Sequence, residues 1–309
     1  MNSEAVAKRK DPWAHERTII DTQLRRIVES EEVVEPLGAA VRHALFPAGK
    51  RVRPLFSLVL ASELDVSELE YDPELIAVPS IALELIHNSS LIHDDLPAMD
   101  DDHMRRGRPS CHAVYGEATA ILAGDYLVAL AMKVLAQCSL PEAVRLRMVS
   151  ELSLTYMQLC NGQQRDLTAE EQTEDEPSVS QLEETHSLKT GALFRASFMF
   201  AALAIGAREK VIKLCAELGL QFGICFQIAD DYIDLHGTSA QRGRETSSDV
   251  RNDKKTYFSG DESFGKAAMH SHCSRLNSLI SKLEGVADIT HPLNRTRKLI
   301  ETSLEQCAT

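Results

Sequence analysis

Runs in which apolar and polar residues alternate are missing from this sequence, which argues against a fold built on half-buried β-strands. Its seven cysteines show no C-x-x-C spacing, so we expect buried thiols in a reducing compartment. The longest uncharged apolar run, 196–207, is too short to cross a bilayer. The first residues carry charges but no apolar stretch of the kind a secretory signal needs. We therefore expect a cytoplasmic protein without a membrane span.

Positive charge is also in short supply. The 33 lysines and arginines face 46 aspartates and glutamates, giving a formal net charge of −13. Nucleic acid is a poor partner for such a chain, because phosphate binding requires a basic surface. A protein of this charge that handles a phosphorylated substrate needs metal cations or a local basic pocket.

Apolar residues recur three and four positions apart over most of the chain, which predicts amphipathic or buried helices. Several segments are apolar around most of their circumference, as expected inside a large bundle. We predict an all-α protein with a single domain over residues 1–309, in which 1–15 are flexible and 168–178 and 236–255 are polar loops. The predicted helices cover residues 19–34, 75–92, 118–135, 143–159, 193–205, 211–235 and 276–286.

The stretch LIHDDLPAMDDDHMRRGRP, residues 91–109, concentrates charge of both signs after an apolar helix. Its aspartates are Asp94, Asp95, Asp100, Asp101 and Asp102. Pro97 ends the helix just beyond Asp95, because proline lacks an N–H and clashes with the preceding turn. The first two carboxylates therefore lie at the negative end of the helix dipole and call for a cation. Oxygen ligands of this kind suit Mg²⁺ together with substrate phosphates.

A second acidic segment, FQIADDYIDLHG, also closes an apolar helix. Asp230 and Asp234 are four residues apart and share a helix face, with Asp231 beside them. His236-Gly237 then resembles a glycine C-cap. Two acidic helix ends facing each other across a bundle could hold Mg²⁺ between them, with a diphosphate completing the coordination.

Basic residues are confined to short clusters near helix breaks or acidic motifs. Against the negative background, these clusters predict a second anion site that needs no metal, since arginine forks bind phosphate oxygens bidentately. The clusters are AGKRVRP (48–54), RRGRP (105–109), SLKTG (187–191) and DVRNDKKTY (249–257).

Together these motifs resemble the trans-prenyltransferases of the polyprenyl synthetase family, most closely the bacterial farnesyl and geranylgeranyl diphosphate synthases. The resemblance extends from about residue 39 to 257. It rests on the ordered set GKRVRP, DDLPAMD, RRGRP, AILAGD, NGQQRDL, LKTG, FQIADDYID and KKTY. It implies a helical bundle with a central active-site cavity, and a homodimer. The implied reaction is the condensation of isopentenyl diphosphate with dimethylallyl, geranyl or farnesyl diphosphate.

The resemblance also assigns roles by position. It implies three Mg²⁺ ions per active site, with Mn²⁺ as a substitute. The implied metal ligands and their supporting carboxylates are Asp94, Asp95, Asp100, Asp230, Asp231 and Asp234. The residues implied to act on the allylic diphosphate and carbocation are Arg105, Lys189, Lys254, Thr190 and Gln227, with Gln163 and Asp166 lining the site. Those implied to hold isopentenyl diphosphate are Lys50, Arg53, His87 and Arg106.

Product length is the property on which the sequence departs from the farnesyl synthases it resembles. Those enzymes usually carry an aromatic residue five positions before the first aspartate, where this chain has Ser89, followed by Ser90. Small side chains there slightly favour a twenty-carbon product over a fifteen-carbon one. A deeper floor could come from Ala82, Leu85 and Ile86, and a bulky residue such as Tyr126 or Met157 could close the tunnel instead.

Two other functions compete with prenyl transfer. A class I terpene cyclase shares the fold and the first aspartate motif, but it lacks an isopentenyl site, against which GKRVRP, His87 and DDYID argue. A non-catalytic subunit of a heteromeric synthase typically loses one aspartate motif, whereas this chain keeps both.

Overall fold

A computed structural model describes residues 11–46, 49–64, 72–171, 179–236, 256–258, 262–286 and 292–308. The first helices are α1 (Ala14–Glu29), α2 (Leu37–Leu45), α3 (Val52–Glu63), α4 (Pro73–Asp94), α5 (Cys111–Tyr115) and α6 (Glu117–Gln137). They are followed by α7 (Glu142–Glu171), α8 (Val179–His186), a π-helical turn (Ser187–Gly191), α9 (Ala192–Ala204) and α10 (Glu209–His236). The last two are α11 (Glu262–Val286) and α12 (Asn294–Ala308). The all-α prediction is confirmed.

Helix α4 lies at the centre of the bundle and carries the first acidic motif at its carboxyl end. Asp72 caps its start by accepting hydrogen bonds from the backbone N–H groups of Glu74 (2.9 Å) and Leu75 (3.4 Å), and Pro73 occupies the first turn. The helix packs against α6, α3, α1 and α9. Its last residue is Asp94, as the position of Pro97 predicts.

Aromatic side chains are few, and several of them meet where α3, α9 and α10 cross. The ring of Phe56 lies 4.8 Å from Phe198 and 4.5 Å from Phe222, and Phe194 lies 4.9 Å from Phe222. All four are fully buried. Such pairs add to the area they bury, so this cluster fixes α3 against α9 and α10.

Arg51 ties the start of α3 to its neighbours. Its guanidinium donates to the Asp21 carboxylate (2.9 Å), the Glu84 carboxylate (2.7 Å) and the Leu45 carbonyl (2.8 Å). The side chain is fully buried and its backbone is left-handed, with φ of 50°. Arg51 therefore has a structural role, and it fixes the segment that carries Lys50 and Arg53.

A short hairpin, which the sequence pattern did not predict, follows the first acidic motif. Strand β1 (Met104–Arg105) pairs with β2 (Arg108–Pro109). The two residues between them, Arg106 and Gly107, have φ of 53° and 73°. Positive φ at both positions is the geometry of a tight type I′ hairpin turn. The strands are too short to show alternation, so only the turn could have revealed them.

Several predicted boundaries need correction. Helix α1 ends at Glu29 and not at 34, and α7 continues through Glu171, so 168–171 are not a loop. Of the segment 1–15, predicted to be flexible, residues 11–15 are described and α1 begins at Ala14. The flexibility itself stays a prediction. Trp13 is buried, and its backbone N–H donates to the Asp11 carboxylate at 3.0 Å. The rest of the two predicted loops, 172–178 and 237–255, lies outside the described residues.

Within the part of the chain that the structure describes, three helices are long and apolar enough to cross a membrane by length and composition. They are Pro73–Asp94, Glu117–Gln137 and Glu209–Ile233, and 72%, 44% and 56% of their most apolar windows is buried inside the fold. Their apolar character thus largely serves the core, and the lack of a membrane span stays a prediction.

Replacing Arg51 with alanine should lower the free energy of unfolding by about 3–5 kcal/mol, because the Glu84 carboxylate would stay buried without its cationic partner. Denaturant unfolding followed by circular dichroism measures this loss. Arg42→Ala is the matched control, since its partner Glu35 and Arg42 itself are both more than half exposed and such pairs contribute about 0–1 kcal/mol. Equal losses in the two variants would contradict the role given to Arg51.

Candidate active site

The first acidic motif folds back on the end of α4. The backbone N–H of Asp100 donates to the Asp94 carbonyl at 2.9 Å. This hydrogen bond holds Asp100 beside Asp94, so two of the predicted metal ligands lie close together. The pKa of Asp94 is raised to about 6, chiefly by burial. The nearby Asp100 and Asp95 carboxylates also raise this pKa, whereas Lys189 and Arg105 lower it. The structure thus brings together the buried Asp95 and the half-buried Asp94 and Asp100 as oxygen donors that repel one another.

Arg105 is held by carboxylates of the same motif. Its Nε donates to Asp95 at 2.8 Å, and its Nη2 donates to Asp102 at 3.3 Å. Burial raises the pKa of Asp95 to about 6, although Arg105 acts in the opposite direction. Asp102 is itself buried, so it positions Arg105, a role the sequence did not reveal.

The π-helical turn connects the predicted allylic residues to the second acidic motif. Thr190 Oγ1 donates to Gln227 Oε1 at 2.6 Å, and Gln227 Nε2 donates to Asp231 Oδ1 at 2.9 Å. His186 Nε2 lies 3.6 Å from the other Asp231 oxygen. Extra turns of this kind often occur at functional sites. The sequence did not predict the π turn or the part played by His186.

Lys189, also on this turn, links α7 to the first acidic motif. Its Nζ donates to Asp166 Oδ2 at 2.5 Å, and its charge also acts on Asp94. A cavity of about 190 Å³ is lined by Asp94, Lys189 and Gln163, among others. Both polar atoms of the buried Gln163 amide have no hydrogen-bond partner among the described residues. Polar groups that face a cavity in this way suit a polar ligand.

The structure describes only part of the second acidic motif and of the segment that carries Lys254. Asp231 is buried, whereas Asp230 is exposed and acts electrostatically on Arg53 at the start of α3. The side chain of Asp234 and the whole of Lys254 lie outside the described residues.

Three of the four residues predicted for isopentenyl diphosphate, Arg53, His87 and Arg106, form one basic pocket. Arg106 Nη2 lies 3.4 Å from His87 Nε2. Burial lowers the pKa of His87 well below its usual value, and the neighbouring Arg53 and Arg106 lower it further, so the imidazole is neutral. Burial also lowers the pKa of Arg53 to about 10. Lys50 is exposed beside Arg51. Cations held this close to one another favour an anionic ligand.

Gly49 of the GKR motif allows Arg106 to approach this pocket. A Cβ atom at Gly49 would lie 2.7 Å from Arg106 Nη1, closer than real contacts allow. The left-handed backbone of Arg106 in the hairpin turn aims the guanidinium at this gap. The GKR and RRGRP motifs, far apart in sequence, thus form one site.

Ser89 and Ser90 do not leave an open tunnel beneath the first motif. Ser89 is fully buried, its Oγ donates to the Gly124 carbonyl at 2.9 Å, and its side chain lies near the Tyr156 hydroxyl. Of the two bulky residues named from the sequence, Met157 is 63% exposed, and Tyr126 is near Glu31 and Lys133. The sequence offered one signal for Tyr156: it lies seven residues before Gln163, two turns away on the same face of α7.

A separate group of Asp101, His103 and His112 could hold a metal ion, with ligand atoms within 4.8 Å of one another. Two imidazoles and one carboxylate suit a transition metal better than Mg²⁺. The aspartates predicted to bind Mg²⁺ are not part of this group.

Asp94→Asn should stabilise the metal-free protein at high pH. The folded-state pKa of Asp94, about 6, exceeds its ordinary value of 3.8, so its ionisation costs folding free energy as the pH rises through this interval. With a chelator present, we expect a gain on the order of 1–2 kcal/mol at pH 8 and almost none at pH 4. Thermal unfolding at the two pH values measures it.

Asp101→Asn provides the control for this experiment, because Asp101 is exposed in the same loop. It should change stability little at either pH. A loss of stability for Asp94→Asn at pH 8 would show that the carboxylate is not destabilising in the metal-free fold.

Comparison with known proteins agrees with this geometry. A family model described as "Polyprenyl synthetase" matches residues 34–261. The chain is 37% identical over 247 residues to farnesyl diphosphate synthase of Geobacillus stearothermophilus, a match that covers 78% of this chain and 80% of that protein. It is 38% identical over 223 residues to geranylgeranyl diphosphate synthase of Cyanophora paradoxa, covering 71% and 72% of the two chains.

Solved structures show the same likeness. The crystal structure of geranyltransferase from Helicobacter pylori, complexed with magnesium and isoprenyl diphosphate, matches with a TM-score of 0.78 at 25% identity. The match covers 93% of this chain and 95% of that one. With its fold, its ordered motifs and its relatives in agreement, this chain belongs to the polyprenyl synthetase family.

Proposed function

We propose that this chain condenses isopentenyl diphosphate with an allylic diphosphate, namely dimethylallyl, geranyl or farnesyl diphosphate, to give farnesyl and/or geranylgeranyl diphosphate and free diphosphate. One observation carries the proposal. A cavity lined by Asp94 and Lys189 lies in the same bundle as a pocket of arginines around a neutral His87. Two sites of different chemistry suit two diphosphate substrates.

The reaction needs no protein nucleophile. The allylic C–O bond breaks, the diphosphate leaves with the electron pair, and an allylic cation remains. The double bond of isopentenyl diphosphate then forms the new C–C bond, and a proton passes to the departing diphosphate. Arg105 and Lys189 are the side chains that stabilise the leaving group electrostatically.

Thr190 and Gln227 are suited to face the cation. Thr190 donates its hydroxyl proton to Gln227, so the negative end of its dipole remains available. Arg53, His87 and Arg106 hold the second diphosphate. The neutral imidazole of His87 can donate one hydrogen bond without adding another charge to the crowded pocket.

We propose Mg²⁺ as the cofactor, with Mn²⁺ as a substitute. Asp94, Asp95 and Asp100 supply hard oxygen donors whose mutual repulsion a divalent cation would relieve. Asp230, Asp231 and Asp234 would hold the metal on the opposite side. When bound, Mg²⁺ neutralises the charge that develops on the leaving diphosphate. The magnesium complex of the Helicobacter pylori relative supports this choice.

We also propose a cytoplasmic location, supported by six described cysteines that are all free thiols.

The test is an assay on the single purified chain with Mg²⁺, isopentenyl diphosphate and each allylic primer, with products identified by mass spectrometry. We expect linear prenyl diphosphates and one diphosphate released per condensation. Asp94→Ala should reduce turnover at least about a hundredfold, since it removes a predicted metal ligand. Asp101→Ala, at an exposed neighbour, should retain turnover near that of the unaltered protein.

Each rival function predicts a different outcome. Cyclic hydrocarbons would show a terpene cyclase. A chain that is folded but inactive until another subunit is added would be a non-catalytic partner. Linear products from one chain type would exclude both.

A homodimer is also proposed, because α6 and α7 expose apolar side chains side by side. Leu122 and Met157 are 57% and 63% exposed, and Leu146 is 69% exposed. Apolar surface of this kind is typical of an interface. A second copy of the chain, as the family resemblance implies, would cover it.

Leu122→Glu should therefore shift the protein from dimer to monomer in sedimentation velocity, because the interface would bury a carboxylate without a partner. Val34→Glu is the matched control, since Val34 is 78% exposed and lies between α1 and α2, not on α6 or α7. Dimerisation of both variants would place the interface elsewhere.

A further inference from the structure

We propose that Tyr156 forms the floor of the cavity that receives the growing prenyl chain, and that it limits the product to fifteen carbons. The inference rests on the proposed prenyl transfer and names the residue that sets its product length. It reverses the expectation drawn from Ser89 alone, whose small side chain slightly favoured twenty carbons.

The position of Ser89 sets the depth of this floor. Ser89 lies five residues before Asp94, about 7.5 Å along α4 from the metal-binding carboxylate. Its hydroxyl donates to the Gly124 carbonyl of α6, and its side chain lies near enough to the Tyr156 hydroxyl of α7 to act on the pKa of that phenol. The space that a small residue leaves on α4 is therefore taken by a phenol ring from α7.

Tyr156 belongs to the active-site cavity and not to the outer surface. It lines the cavity of about 190 Å³ with Asp94, Gln163 and Lys189. Its ring also packs against the main hydrophobic core. A side chain with one edge in the cavity and the other against the core is the boundary between them.

The chemistry of tyrosine suits such a boundary. The ring presents an apolar surface to a hydrocarbon chain, and the hydroxyl lies beside the polar side chain of Ser89. Burial raises the pKa of Tyr156, so the phenol stays neutral beside the substrate.

A deeper layer of apolar side chains lies along α4. Ala82, Leu85 and Ile86 are fully buried, so they would form the next floor if the ring were removed. Met157 is adjacent to Tyr156 in sequence, but its side chain is exposed on the surface of α7. It therefore does not form the floor of the cavity.

The experiment compares product lengths from geranyl and isopentenyl diphosphates by mass spectrometry. We expect the unaltered protein to make mainly fifteen-carbon product. Tyr156→Ala should raise the ratio of twenty-carbon and longer products at least about tenfold, the effect of roughly 1.4 kcal/mol in relative barriers. Tyr156→Phe keeps the ring and should retain the fifteen-carbon product, and Met157→Ala should leave the distribution unchanged.

Tyr156→Leu serves as a second variant if the alanine variant does not fold, and it should also lengthen the product. An active protein that makes mainly twenty-carbon product with Tyr156 in place would overturn the inference. So would an unchanged distribution in folded Tyr156→Ala or Tyr156→Leu. An unaltered protein that forms no linear product would instead contradict the proposed prenyl transfer, which keeps the two failures distinct.

Discussion

Like charges held close together inside a helical bundle are the constraint on which this structure depends. Asp94, Asp95 and Asp100 gather at the end of α4, and Arg53 and Arg106 gather around His87. Burial makes each group costly by itself, because charge is disfavoured where water is excluded. Fixed partners, such as Arg105 for Asp95, stabilise both sets in part. Each set still favours a ligand of the opposite charge.

Close backbone approach makes this arrangement possible. At Gly124, a Cβ would lie 2.1 Å from His93 Nε2, so α6 can press against the end of α4 only because no side chain intervenes. Gly162 plays the same part between α7 and the π turn, where a Cβ would lie 2.6 Å from the Lys189 backbone nitrogen. Motif glycines thus set the distances between the helices that carry the charged residues.

The cavity boundary shows how a function can move from one helix to another. A bulky residue on α4 or on α7 can fill the same volume, because the two helices face each other across the site. This chain has the small residue, Ser89, on α4 and the large one, Tyr156, on α7, with the two side chains close together. A motif defined along α4 alone registers only half of this pair.

The sequence by itself determined the helical class, the end of α4 shortly before Pro97, and the carboxylate chemistry of both acidic motifs. Periodicity, proline geometry and carboxylate spacing are local properties, so the chain shows them without its fold. It also indicated most of the residues that the structure brings together around Lys189 and His87. Only the tertiary structure decided that Arg51 serves the fold, that Asp102 positions Arg105, and that Tyr156 lies against Ser89. Those roles depend on which helices face each other, and a contact between distant segments leaves no periodic trace in the chain.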